Sequence, residues 1–159
     1  MDEHEQKAVD NIEEYGCHVM HIFAEDNLPR FTYSVGIYGK TKQPELIVMG
    51  LKREVAHTLV NDYSSFVKEG RVFNPGEYYS DFLDGYDVTF IEVAKEHYEE
   101  YFGWDIWYYK GKSFPVLQLV FPDKSGVWPW EERASEDFKW YQPLLNQCLP
   151  IGDGPRFKC

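Results

Sequence analysis

A chain of 159 residues and 18.8 kDa has the length of one domain, and that length suffices to bury a core without disulfides or a structural metal. Hydrophobic residues at 43% and aromatic residues at 18% exclude wholesale disorder, because burial of large rings offsets the entropy of ordering the backbone. A formal charge of -11, from 27 acidic against 16 basic residues, argues against a nucleic-acid partner: phosphates are repelled unless basic residues gather on one face, and no such gathering is visible along the chain.

Other bounds follow. No apolar run approaches the ~18 residues of a membrane span, and Met1 to Glu14 is acidic where a signal peptide needs a basic start and an apolar stretch. The expectation is a cytoplasmic protein with no membrane partner. Cys17, Cys148 and Cys159 are odd in number, widely spaced and without a CxxC pair, which predicts reduced thiols rather than a disulfide framework or a cysteine zinc site.

In chain order, Ala8, Val9, Ile12 and Tyr15 fall near helical period within a charged segment, so 2–15 reads as a surface helix, a lid stopped by Gly16. Cys17 to Ala24 reads as a strand, followed by a turn at Glu25-Asp26-Asn27. Phe31, Tyr33, Val35 and Ile37 alternate with Thr32, Ser34 and Gly36, giving a strand with one bulky and one small face. The small face predicts close packing by a helix, with a ligand as the alternative. Leu46 to Met49 reads as a neighbouring strand ending at Gly50. Val55, Ala56, Leu59, Val60, Tyr63, Phe66 and Val67 predict one long amphipathic helix over 52–69.

After a Gly- and Asp-rich connection from Asn74 to Gly85, Val88, Phe90 and Val93 fit a strand, and Lys95 to Phe102 a short helix closed by Gly103. Trp104 to Tyr109 is left as continuation or loop. Phe114 to Phe121 is the most hydrophobic run, placed centrally in the sheet with Pro115 at its start. Five later prolines surround a short helix from Glu131 to Trp140, in a mostly irregular tail that wraps the body. The architecture expected of residues 1–159 is a single acidic α+β domain: one mostly antiparallel sheet, the long helix, shorter helices and an irregular C-terminal tail.

Three segments carry a resemblance: FTYSVGI at Phe31 to Ile37, PELIVMGL at Pro44 to Leu51, and VLQLVFPDKSGVWPW at Val116 to Trp130. Their order, F-x-Y-T-x-G-L, then P-E-L-x-x-x-G-L, then V-L-Q-L-V-x-P-D with W-P-W after it, resembles a short bacterial family catalogued as a domain of unknown function. Ser34, Ile37 and Phe121 stand where that pattern has Thr, Leu and Trp. The resemblance spans Ile12 to Trp130 and implies a shared fold and bacterial origin, with no reaction attached.

Individual constellations argue more for binding than for catalysis. His18 and His21 sit three apart on a strand, which puts the imidazoles on opposite faces, so no metal site is expected there. Glu96, His97 and Glu100 form a patch one helical turn deep. Asp81, Asp84 and Asp87 lack the spacing of a calcium loop. No GxGxxG, GK[ST], GxSxG or HExxH occurs. The catalytic candidates are Tyr33, Ser34, Glu45, Gln118 and Asp123, polar groups inside apolar motifs, for which a structural hydrogen-bond network is the competing role.

The functional expectation is an acidic protein-binding domain for a basic protein partner, in the manner of an immunity protein neutralising a nuclease-like toxin. Acidic residues steer such an association and Trp and Tyr anchor it. The partner-binding candidates are Glu96, Glu99, Glu100, Trp104, Asp105 and Trp107 in the first acidic-aromatic stretch, and Trp128, Trp130, Glu131 and Glu132 in the second. The alternative is a small enzyme or ligand-binding domain with a pocket around FTYSVGI and VLQLVFPD. No cofactor is assigned, although a flavin or similar aromatic group stays open, and the chain is read as a monomer or, through exposed rings, a homodimer.

Overall fold

A computed structural model describes residues 1–146 together with the backbone of 149–150 and 157–158; Cys148 and Cys159 lie outside the described residues. Helix α1 (Glu3–Tyr15) starts in a capping box, in which the Asp2 carboxylate accepts from Glu5 N at 2.8 Å and the Glu5 carboxylate from Asp2 N at 3.0 Å. Gly16, at φ 88, ends it as expected. It is more than a lid: Ala8 and Ile12 are fully buried, the latter among the rings beneath the sheet. Asp2→Ala is expected to lower stability by about 1 kcal/mol, measurable as a shift in the urea midpoint with an unchanged slope.

The strands β1 (His18–Ile22), β2 (Phe31–Val35) and β3 (Glu45–Met49) come next, with a five-residue helix α2 (Ile37–Thr41) between the last two and α3 (Arg53–Lys68) after them. The chain continues through β4 (Tyr78–Leu83), β5 (Tyr86–Glu92), a 3-10 turn at Lys95–His97, α4 (Tyr98–Tyr101), α5 (Gly103–Tyr109) and β6 (Val116–Val120). Helix α6 (Glu136–Tyr141) and the short pair β7 (Leu149–Pro150) and β8 (Phe157–Lys158) complete it. The fold is α+β, with a six-stranded mixed sheet in the order β1-β2-β3-β6-β5-β4, antiparallel throughout except for the parallel pair β3 and β6. All five residues of β6 are buried between β3 and β5, and Pro115 precedes the strand, where its missing N–H breaks no ladder bond.

Helices cover both sheet faces. Thr32 lies opposite Val48, and Val48 packs with Ala56, Leu59, Val60 and Tyr63 of α3, so the small-residue face of β2 is closed by a helix. Phe31, Tyr33 and Val35 point the other way, into a cluster with Tyr98, Tyr101 and Phe102. Much of the aromatic excess is consumed inside: the Phe73 ring alone lies 4.9 Å from Tyr79, 5.2 Å from Phe90 and 5.4 Å from Phe82.

Four local expectations are corrected. The 74–85 connection contains β4, which forms a hairpin with β5 through Asp84-Gly85; its residues are largely exposed, so it lacks a hydrophobic signal. The strand read through Ile37 stops at Val35, because Gly36 at φ 102 turns the chain into α2. Gly103 starts α5 instead of closing the preceding helix. The tail helix begins at Glu136, where the Ser135 hydroxyl accepts from Phe138 N. The tail is also tied down by two buried glutamines. Gln142 bonds both backbone atoms of Phe121, at 3.0 and 2.9 Å, and Gln118 holds Pro143 O at 2.9 Å and Leu145 N at 2.8 Å.

Candidate functional site

Two of the catalytic candidates meet around one carboxylate. Glu45, at the start of β3, is completely buried and accepts five hydrogen bonds: from Ser34 Oγ at 2.7 Å, from the amides of Gly36, Ile37 and Tyr38 at 3.1, 3.2 and 3.0 Å, and from the Tyr109 hydroxyl. Three consecutive amides converge because Gly36 adopts a left-handed conformation; a Cβ there would meet Ile12 at 2.8 Å. Ser34 Oγ in turn accepts from Leu46 N at 2.9 Å, and Tyr109 OH from Gly39 N at 3.0 Å. The Tyr33 hydroxyl accepts from Trp104 N at 3.2 Å, which ties β2 to α5.

A second carboxylate shares this interior. Asp105 on α5 is fully buried, and neither of its oxygens has a hydrogen-bond partner among the described residues. Burial and the charge of Glu45 push its carboxyl well above the ordinary range. Burial also raises Glu45, but hydrogen bonds from Tyr109, Tyr38, Ser34 and Ile37 oppose that rise. Every donor converges on Glu45 and none on Asp105, so the anion of the pair is Glu45 and the proton belongs to Asp105. Burial likewise lifts the Tyr33 and Tyr109 hydroxyls far above a free phenol.

The other candidates serve local structure. Gln118 clamps the tail, and half-buried Asp123 builds its turn by accepting from Ser125 N at 2.8 Å and Val127 N at 3.0 Å. Tyr33, Ser34, Glu45 and Gln118 are thus interior struts, and Asp123 lies apart from them in the loop after β6.

The partner-binding candidates divide. Asp105 is interior and is removed from the surface set. Glu99 and Glu100 are exposed, Glu99 in an ion pair with Lys112 at 2.5 Å, while Glu96 is half-buried. Trp104 and Trp107 are half-buried and meet edge to face at 5.4 Å. In the second stretch, Pro129 is buried and the two flanking indoles stack in parallel outside it, 4.9 Å apart at 10°. Trp130 is 46% exposed. Tyr78 on the edge strand β4, 54% exposed, stands edge-on to Trp128 at 5.4 Å. Glu131 holds the loop by accepting from Trp128 N at 2.7 Å and pairing with Arg133 at 3.2 Å, and Glu132 is exposed with no ion pair among the described residues. Tyr78 escaped the sequence reading because its strand passed for a loop.

The histidine pair is separated as the strand period requires. His21 shares the α3 face with its cross-strand partner Thr32 and bonds His57 at 3.0 Å, whereas His18 bonds Asn11 on α1 and lies 6.3 Å from the Trp104 ring. His97 is buried edge-on to Tyr101, and Asp81 pairs with Arg71 at 3.1 Å. Among the described residues no helix is long and apolar enough to cross a membrane.

Comparison with curated proteins and with solved structures gave no match. Residues 11–135, which hold the Glu45 hub, the buried Asp105 and the stacked tryptophans, match the family described as Domain of unknown function (DUF4262), and the chain belongs to that family.

Proposed function

We propose that this protein is a binding domain that docks a basic protein partner on the surface built from Tyr78, Trp128 and Trp130 with Glu131 and Glu132 beside them. The observation that carries this reading is the tryptophan stack. Two large rings are held parallel by a buried proline and a carboxylate-fixed loop, yet Trp130 stays open to solvent. Rings already ordered lose little entropy on binding and make good anchors. A net charge of -11 supplies long-range attraction for a cationic protein. A bacterial immunity protein that neutralises a nuclease-like toxin in the cytoplasm has this profile, and is the specific form proposed.

The test is affinity capture by the tagged protein from an extract of its native cells, at low and high salt, with mass spectrometry of what is retained. The expected result is a basic protein held at low salt and lost at high salt, and lost at both with Trp130→Ala, since an anchor of this type contributes about 2 kcal/mol or more. Capture that is indifferent to Trp130→Ala would contradict the assigned surface. Light scattering over a concentration series separates this from self-association, which would appear as a concentration-dependent mass.

A further inference from the structure

A groove of about 620 Å³ runs between α1 and α3 and is floored by the edge strand β1. Its lining is unlike the rest of the molecule. The chain carries 27 acidic side chains, and none of those among the described residues lines this groove, whereas Lys7, Arg53 and Lys68 all do. These cations come from different directions, Lys7 from α1 and the other two from opposite ends of α3.

Between them stand neutral hydrogen-bonding groups at helical spacing. Asn11 follows Lys7 by one turn on α1, and His57, Asn61 and Ser64 continue the Arg53 row on α3. Ser64 sits in the groove wall, 3% exposed, with its hydroxyl turned to the Cys17 thiol. Lys68 already donates to Tyr15 O, which fixes its head at one end of the groove and leaves two of its three donors free.

We propose that this groove binds a small phosphorylated molecule. A phosphate group carries close to two negative charges and several acceptor oxygens at neutral pH. It therefore suits a groove that offers ammonium groups, a guanidinium fork and side-chain amides along its length, with no carboxylate among the described residues that line it. The volume lies within the roughly 300–1,000 Å³ of small-molecule sites. A nucleic-acid polymer would instead extend beyond the groove onto an acidic surface. Burial is the main cause that lowers the proton affinity of His21 and His18, and nearby groups add to it, Arg53 and His57 at His21 against Glu54, and Lys7 at His18.

The test is a titration of the full chain with inorganic pyrophosphate, followed by the imidazole C–H resonances of His18, His21 and His57, with citrate as a polyanion without phosphorus. The proposal expects saturable shifts of these histidines, binding weakened about tenfold by one of Arg53→Gln and Lys68→Met, which alter opposite ends of the groove, and weaker binding of citrate. Both variants alter exposed side chains, and unchanged spectra elsewhere verify their fold. Trp130→Ala should leave the titration as it is, which separates this site from the proposed partner surface. Absence of saturable shifts, an equal response in the two variants and the parent, or citrate binding as well as pyrophosphate would each overturn the proposal.

Discussion

Glu45→Ala is expected to destabilise the fold by about 4 kcal/mol, the range for removing one partner from a buried, fully bonded charge. The substitution leaves Ser34, Tyr109 and the amides of Gly36, Ile37 and Tyr38 without their common acceptor. Water does not readily replace it, because Glu45 is fully buried. Glu45→Gln keeps the volume but presents an NH2 to groups that are themselves donors, so it should recover only part of the loss. Chemical denaturation gives the difference directly. A loss near zero for Glu45→Ala would mean that the five bonds do not hold α2 and α5 to the sheet.

Asp105→Leu is expected to act in the opposite direction and stabilise the protein by about 2 kcal/mol at neutral pH. The wild-type carboxyl is buried with neither oxygen bonded among the described residues, and replacing such a group with an apolar one of similar size is often stabilising. The pH dependence has a definite sign. Burial and the charge of Glu45 raise Asp105 well above the ordinary aspartate value of about 3.8 on folding, so the folded chain holds its proton more tightly than the unfolded one does. The contribution is fully present below about pH 3.8 and is lost as pH rises through the higher folded value. Asp105→Leu should remove that decline, bringing the variant's advantage to its largest at neutral pH and shrinking it in acid. Denaturation curves at several pH values check both the sign and the slope; a variant less stable than wild type at neutral pH would contradict the assignment of the proton to Asp105.

Elements marked by hydrophobic runs or punctuated by glycine were legible in the sequence. The end of α1 at Gly16, the end of β3 before Gly50 and the central place of β6 all follow from local pattern. Elements made by tertiary contact were not. Helix α2 is held at its start by the carboxylate of Glu45, a residue later in the chain. The β4–β5 hairpin carried one usable sign, Asp84-Gly85, but its exposed first strand has no alternating pattern to go with it. Glu45 was legible as a polar residue inside an apolar motif. Asp105 was misread because its neighbours Trp104 and Trp107 suggest a surface, and helix phase alone did not show that it turns inward. The groove draws on α1, β1 and α3, and its only sequence trace is the carboxylate-free spacing of Lys7, Asn11 and Tyr15 and of Arg53, His57, Asn61 and Lys68.

The most direct measurement of the proposed binding role is an isotherm for a basic protein obtained by that capture, against wild type and Trp130→Ala over a series of salt concentrations. The account predicts affinity that falls steadily with salt and that drops more than about tenfold in the variant at every salt concentration. Affinity independent of salt and equal for the two proteins would contradict it, because neither the charge nor the stacked tryptophans would then be part of the interface.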